Sequence, residues 1–308
     1  LIPNFFSLLI GIKGATDATL SWGFSEGGKV MKPSGWIEMA RDDATSIETL
    51  RAHFTGHAYD PHWHDSYLVG VTEQGVQQFH SRRQQHQSRP GTVFLLEPGE
   101  LHDGDAIDER GFTYRMLYID PLTLRQQLSS LFSEIPDRFE LNFARTLSSD
   151  RQLAWATLHA FQALHDNELK IIKESALQRL FSALTCHLHW RRPLQLAAHE
   201  NTLALRARDF MLDHRYDNIG LSDMAAALEV DRFRLSREFH AHFGLPPHAW
   251  LIQLRLSEAR RLLSAGQPPA LVAAQLGFAD QSHLGRWFKR AYQLTPAFYQ
   301  QHCTNLPD

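Results

Sequence analysis

The sequence predicts an α+β chain of two domains, a β-rich N-terminal domain with helices at its carboxyl side followed by an all-α C-terminal domain. Three observations predict it. Over residues 46–118 the helical period is lost, and short β-like runs alternate with turn residues. Over residues 121–190 apolar side chains return at three- and four-residue steps. Beyond Thr202 one helix-turn-helix layout appears twice, so the C-terminal part is an internal repeat. A chain of 308 residues is long enough for two domains with separate cores.

The opening segment, LIPNFFSLLIGI, is apolar but too short to span a bilayer, and no basic stretch precedes it. No membrane or secretion role follows from it. Residues 1–30 are expected to be a translated leader or a disordered extension. The chain does not begin with Met, and a purine-rich run encoding Glu26-Gly27-Gly28 just before the Met31 codon would resemble a bacterial ribosome-binding site.

Residues 31–120 carry the β-like runs SYLVGVTE, GVQQFHS, GTVFLLEP and FTYRMLYI. His62 and His64 are two apart, so on a strand both point to one side. In a closed sheet that side is the interior, where His102 can join them from a neighbouring strand. Three converging imidazoles can bind a divalent metal or line a pocket for an organic ligand. Glu97 and aromatics among Phe79, Phe94, Tyr114 and Tyr118 would make such a pocket suit a small polar molecule.

The spacing of these residues is informative. Gly56, five residues, His62-Trp63-His64 and later Gly75 form one segment; Gly91, Glu97-Pro98-Gly99 and His102 form another. Together they resemble the two cupin motifs. The resemblance implies a small antiparallel barrel of the kind used as an effector domain, with His62, His64, Glu97, His102 and Tyr114 lining it and no cofactor. The alternative is a metal on His62, His64 and His102. Against it, Leu68 stands where metal-binding cupins carry a Glu, and Ala106 where an Asn is expected.

Three helical stretches follow within residues 121–192. The first begins at Pro121 with Leu124, Leu128 and Leu131 on one face, and the second carries Trp155, Leu158 and Phe161. The third, residues 171–190, shows Leu177, Leu180, Phe181, Leu184 and Leu188. Arg191-Arg192-Pro193 should stop it, and residues 193–201 read as a linker.

The C-terminal domain, residues 202–308, is best read from its second motif, GFADQSHLGRWFKRAYQLTP. Gly277 suits a left-handed turn, and Asp280 is placed to N-cap the next helix. Leu284 and Phe288 would face a core, leaving Gln281, Ser282, Gly285, Arg286 and Lys289 on the other face. Residues 221–251 run parallel to this segment. Leu228 matches Leu276, Leu235 matches Leu284, Arg237 matches Arg286, Phe239 matches Phe288 and Pro247 matches Pro296. A core explains the repeated apolar anchors; it does not explain the repeated arginine.

The pattern G-F-x-D-Q-S-H-x-x-R-x-F-K followed by T-P-x-x-Y resembles the AraC/XylS-type DNA-binding domain. One departure is Gln293, where that family usually has Gly. The resemblance implies two helix-turn-helix units joined by a long helix over residues 247–263, giving, with the cupin-like β-barrel and its helices, the full two-domain α+β architecture. It places two recognition helices in successive major grooves, about 34 Å apart on one face of the duplex. Arg232, Phe233, Ser236 and Arg237 would face bases or phosphates from the first helix. Gln281, Ser282, Gly285 and Arg286 would do so from the second, with Lys289 beside them. Arg can fork onto a guanine edge and Gln onto adenine. The third helical stretch becomes the candidate dimer interface.

Charge agrees once it is resolved along the chain. The formal net charge is only −3, but between Val230 and Gln300 nine bases stand against four acids, about +5 in that part. Two cysteines, Cys186 and Cys303, form no CxxC motif and point to a reducing cytoplasm. No P-loop, G-x-S-x-G, HExxH or strand-linked GxGxxG is present, so no enzyme is expected. The expectation is a sequence-specific, effector-controlled transcription regulator, in most of the family an activator. Its partners would be promoter DNA, a small effector, RNA polymerase and a second copy of the chain. The alternative is a metal-dependent cupin enzyme, or a metal or redox sensor, fused to a DNA-binding domain.

Overall fold

The computed structural model describes residues 35–129, 131, 140–191 and 202–303. The expected leader and linker, residues 1–30 and 193–201, lie outside them. Nine strands come first: β1 (Gly35–Arg41), β2 (Glu48–Phe54), β3 (His57–His62), β4 (Tyr67–Gln74), β5 (Gln77–Ser81), β6 (Gln84–Ser88), β7 (Val93–Leu96), β8 (His102–Ala106) and β9 (Phe112–Ile119). Then follow α1 (Pro121–Ser129), β10 (Glu140–Phe143), β11 (Leu147–Ser148), α2 (Arg151–His165), α3 (Lys170–Leu184) and β12 (Leu188–Arg191).

Two antiparallel sheets enclose the barrel interior. One has the order β1-β2-β9-β4-β7-β11, the other β3-β8-β5-β6, and β10 pairs with β12 apart from both. Alternation along the strands sorts the side chains. Leu68, Phe94, Leu96, Met116 and Tyr118 point between the sheets, where Phe79, Phe112 and Tyr114 join them. Their neighbours Val69, Val71, Val93, Leu95, Leu117 and Ile119 point outward and are covered by α1, α2 and α3. A sheet buried on both faces reads as a continuous apolar run, which is why β4 and β9 look alike in sequence.

The helical stretches need three corrections. The third ends at Leu184, because after a single 3₁₀ turn residues 188–191 become a strand paired with β10; Leu188 therefore belongs to a sheet edge. Leu131 lies beyond the end of α1 and is exposed. Trp155 also faces outward at 46 % exposure, its ring tilted against His159, while Leu153 and Phe161 fill the core. Strand β1 lies before residue 46, where the β-like runs are expected to begin.

The C-terminal domain comprises α4 (Leu203–Asp213), α5 (Leu221–Ala227), α6 (Arg232–Phe243), α7 (Pro247–Ser264), α8 (Pro269–Gln275), α9 (Gln281–Tyr292) and α10 (Pro296–Cys303). The repeat is exact in its caps. Asp231 accepts from the Phe233 and Arg234 amides, and Asp280 accepts from the His283 amide at 2.6 Å. Pro247 and Pro296 each occupy the first turn of the next helix. At the C-caps Gly244 and Gln293 share the left-handed conformation, with φ of 75° and 57°.

Helix α7 is buried on most of its circumference because three bodies share it. Leu251 packs with the core of α4, α5 and α6. Ile252, Leu256, Ala259, Leu262 and Leu263 join the core of α8, α9 and α10, which Met39 of β1 also enters. Gln253, Ser257 and Arg260 face the barrel: Gln253 donates to the Pro61 carbonyl, and Ser257 bonds Asp65. The C-terminal domain is thus docked on the barrel.

Candidate effector pocket and nucleic-acid interface

The barrel pocket is built where β3 and β8 pair. His62 lies directly opposite His102 in that register. His64 sits two residues past the end of β3 rather than on it, and the chain turns there, yet its ring still meets the other two. All three are buried. Tyr59, Leu68, Phe79, Phe94, Tyr114 and Tyr118 complete the barrel side of the wall. Tyr292 of α9 closes the other side.

Hydrogen-bond partners assign every proton in the cluster. His62 Nδ1 donates to the Asp60 carbonyl at 2.8 Å, and His102 Nδ1 donates to the Glu100 carbonyl at 2.9 Å. Their Nε2 atoms therefore carry lone pairs. Arg260 Nη1, which can only donate, lies 2.7 Å from His64 Nδ1. His64 is accordingly protonated on Nε2 and donates to His62 Nε2 at 3.0 Å. Burial holds all three imidazoles below their usual pKa, His62 and His64 well below, with neighbouring positive charge adding to the effect at those two. All three are neutral near pH 7.

Arg260 was legible only as one more base, and the structure places it inside the interface. Its side chain is 13 % exposed. Nη2 donates to Glu48 Oε2 at 2.6 Å, and the guanidinium lies about 5 Å from the rings of Tyr118, Tyr292 and Tyr299. Tyr299 donates to the other Glu48 oxygen at 2.6 Å. The signal was present in the periodicity: Leu256, Arg260 and Leu263 fall at i, i+4 and i+7, so Arg260 sits on the apolar stripe.

Of the expected lining residues, Tyr114 is in place, with its hydroxyl bonded to that of Tyr59. Glu97 is engaged elsewhere. Its carboxylate accepts from Arg82 and from the Phe143 amide at 2.7 Å, tying β10 to the barrel. As a metal site the donor set has three neutral imidazoles whose ligating atoms lie within 4.8 Å of one another. Among the described residues no fourth His, Cys, Asp or Glu is grouped with them, and Leu68 in the wall is apolar.

The predicted DNA-facing residues sort by exposure. Arg232, Phe233 and Arg237 on α6 are exposed, as are Gln281, Ser282, Arg286 and Lys289 on α9; Ser236 and Gly285 are half-buried between them. Phe233 is 68 % exposed under the Arg232 guanidinium. The positive footprint is smaller than the charge count implied. Arg234 pairs with Glu238, Arg261 with Glu258 and Arg290 with Asp60 of β3. Arg255 is buried. It donates to the carbonyls of Arg215, Asp217 and Gly277, fastening the loop before α5 to the turn before α9. Arg237, Arg286 and Lys289 make no ion pair among the described residues, which leaves them for phosphates or bases.

Comparison with known proteins agrees with this division. Residues 45–181 match the AraC-like ligand binding domain, and residues 224–302 match a helix-turn-helix domain. The chain is 26% identical over 244 residues to the uncharacterized HTH-type transcriptional regulator YbfI of Bacillus subtilis, spanning 79% of this chain and 87% of that protein. It is 24% identical over 253 residues to the arabinose operon regulatory protein of Escherichia coli, spanning 77% and 81%. In fold it resembles ToxT of Vibrio cholerae solved with an unsaturated fatty acid bound, with a TM-score of 0.51, 15% identity and coverage of 90% and 98%. A ligand-binding domain followed by a helix-turn-helix domain is what these matches assign to the chain, and the chain belongs to the AraC family of transcriptional regulators.

Proposed function

We propose that the pocket around His62, His64, His102, Tyr59 and Tyr114 takes a small effector whose binding alters how the exposed faces of α6 and α9 meet promoter DNA. One observation carries this reading: Arg260 and Tyr292, which belong to the DNA-binding half, form part of the pocket's surroundings. Whatever enters the pocket meets Tyr292 of α9 directly, and meets His64, which Arg260 of the joining helix α7 holds. The physical content of regulation is then a coupling free energy of about 1–3 kcal/mol between pocket and operator.

On the DNA side we assign base or phosphate contacts to Arg232, Phe233, Ser236, Arg237, Gln281, Ser282, Gly285, Arg286 and Lys289, with Arg237 and Arg286 as direct readers. A second copy of the chain is the proposed protein partner. Trp155, Leu169, Ile171 and Ile172 form an exposed apolar patch along α2 and α3, beside a groove of about 290 Å³. Activation through RNA polymerase is assigned on the family resemblance alone. Among the described residues no helix is long and apolar enough to cross a membrane. Both cysteines are free, which suits a cytoplasmic protein.

Titration of the cognate promoter tests the assignment. R237A and R286A should each lose about 1–3 kcal/mol of specific binding and relax base preference at one position. Wild-type affinity in both variants would remove these helices as the reading elements.

A further inference from the structure

The tip of the β5–β6 hairpin is an unusual turn. Ser81 pairs with Gln84, so only Arg82 and Arg83 make the loop, and both have positive φ, 51° and 61°. A two-residue turn of this kind favours Asn-Gly, because a Cβ is strained in the left-handed region. Two arginines carry that strain here, and their side chains part. Arg82 is taken up by Glu97, Glu100 and the Phe143 carbonyl. Arg83 crosses to the C-terminal domain, where Nη2 donates to the Ala241 carbonyl of α6 at 3.4 Å. Leu101, just before β8, seats the same end of α6: a Cβ on Gly244 would lie 3.5 Å from it.

The internal repeat gives this place a meaning. From Leu235 and Leu284 onward the two units run in step, so His240 and Ala241 of α6 correspond to Lys289 and Arg290 of α9. Arg290 pairs with Asp60, which leaves Lys289 as the exposed cation of that turn. The matching turn of α6 has neither Lys nor Arg, and Arg83 of the barrel stands beside it. Arg83 is exposed and makes no ion pair among the described residues. Glu97 and Glu100 hold Arg82, and Glu238 of α6 holds Arg234.

We propose that Arg83 is a DNA-phosphate contact that the barrel supplies to the first recognition helix, so that the N-terminal domain forms part of the DNA-binding surface. This rests on the reading that α6 and α9 meet DNA. Ala241 lies one turn beyond Arg237 on the same face of α6. With its twelve residues α6 is about 18 Å long, more than the roughly 12 Å width of the major groove. With the first turn on base edges, the last turn stands at the phosphate rim, within reach of an arginine. A guanidinium forks onto phosphate oxygens and positions the protein without reading sequence. One long bond to a carbonyl leaves most of the Arg83 donors for that contact. The docked arrangement of barrel and C-terminal domain is then the one that grips DNA.

Salt titrations of the full chain on a duplex of the cognate promoter and on one of unrelated sequence test this. Gly is favoured at the second place of such a turn, so R83G keeps the hairpin while removing the charge. It should weaken binding to both duplexes by the same factor and lower the slope of log K against log salt concentration by about 0.9. R83K should keep the wild-type slope, and R83G combined with H240K, which copies Lys289 into α6, should regain it. If Arg83 only closes the end of α6, R83G should melt lower at an unchanged slope. That result overturns the proposal, as does a loss confined to the promoter duplex. R237A is the benchmark. R83G at the wild-type slope beside a weakened R237A rejects the barrel contact alone, while wild-type binding in both removes α6 from the DNA and takes the underlying reading with it.

Discussion

The Tyr299 hydroxyl in α10 donates to Glu48 Oε1 in β2 at 2.6 Å, joining residues 251 apart in sequence, and the other Glu48 oxygen receives Arg260. Glu48 is thus the counter-ion of a buried charge contributed by the opposite half of the molecule. E48A would strand the guanidinium, at a cost of about 3–5 kcal/mol, whereas E48L combined with R260M should be neutral or more stable by about 1–4 kcal/mol. Urea denaturation of the single and double variants checks this. A double variant as unstable as E48A would show that the pair is not the interaction that matters.

How much of this was legible follows from what each feature depends on. The twin helix-turn-helix units show in sequence because caps, turns and apolar steps are local, and Asp280 and Gly277 act as read. The histidine cluster was also legible: the short β3–β8 register brings His102 opposite His62. The sequence could not show which surfaces the two halves press together. Arg260 and Arg290 count as phosphate-seeking bases in the sequence, yet each is occupied by a carboxylate of the barrel, and Arg255 by carbonyls within the C-terminal domain. Glu97 was assigned to the pocket from motif spacing, while its real partner, the Phe143 amide, comes from a strand that sequence reasoning had read as part of a helical region.

Arg255 should couple the two helix-turn-helix units without touching DNA. Its guanidinium reaches the carbonyls of Arg215 and Asp217 before α5 and of Gly277 before α9, at 2.6–2.9 Å. Burial depresses its pKa, but these carbonyls take its donors. R255M would leave three part-buried carbonyls without their charged donor and should cost roughly 1–3 kcal/mol. Operator affinity should fall with it, because the spacing of α6 and α9 is no longer held. A melting temperature and a binding curve both at wild-type values would refute the role.

Asp42 and Lys173 pin α3 to the barrel by an ion pair of 2.6 Å, with the carboxylate 1 % exposed. Burial alone would raise the Asp42 pKa; the bonds from Lys173 and Thr45 outweigh it and hold the group below its usual 3.8. A carboxylate lowered in the folded state contributes stability that is present above pH 3.8 and is lost as pH falls through its folded value. Wild-type protein should therefore keep this contribution down to about pH 4. K173M should cost ~3–5 kcal/mol near pH 7, since it buries an unpaired carboxylate. With Lys173 gone, burial raises the Asp42 pKa, so K173M should regain stability as pH falls, opposite in sign to wild type. Chemical denaturation between pH 4 and 8 gives the slope, and parallel curves for the two proteins would refute the pairing.

Gly285 and Gln293 separate stability from recognition on one helix. Gln293 caps α9 with φ of 57°, a left-handed conformation that costs a residue with a Cβ about 1–2 kcal/mol, whereas Gly244 holds the matching place in α6. Q293G should accordingly raise stability by roughly 1 kcal/mol and leave operator binding alone. Gly285 is different, because a Cβ there meets nothing within 4 Å and its backbone is ordinary helix. G285A should stabilise α9 by about 0.8–1.0 kcal/mol on helix propensity. If the bare backbone at Gly285 is what lets α9 lie close against DNA, the same variant should bind the operator more weakly despite its greater stability. Thermal melts and promoter titrations of the two variants distinguish the cases. A G285A protein that is more stable and binds as wild type would remove Gly285 from the recognition surface, while Arg286 beside it would keep its assignment.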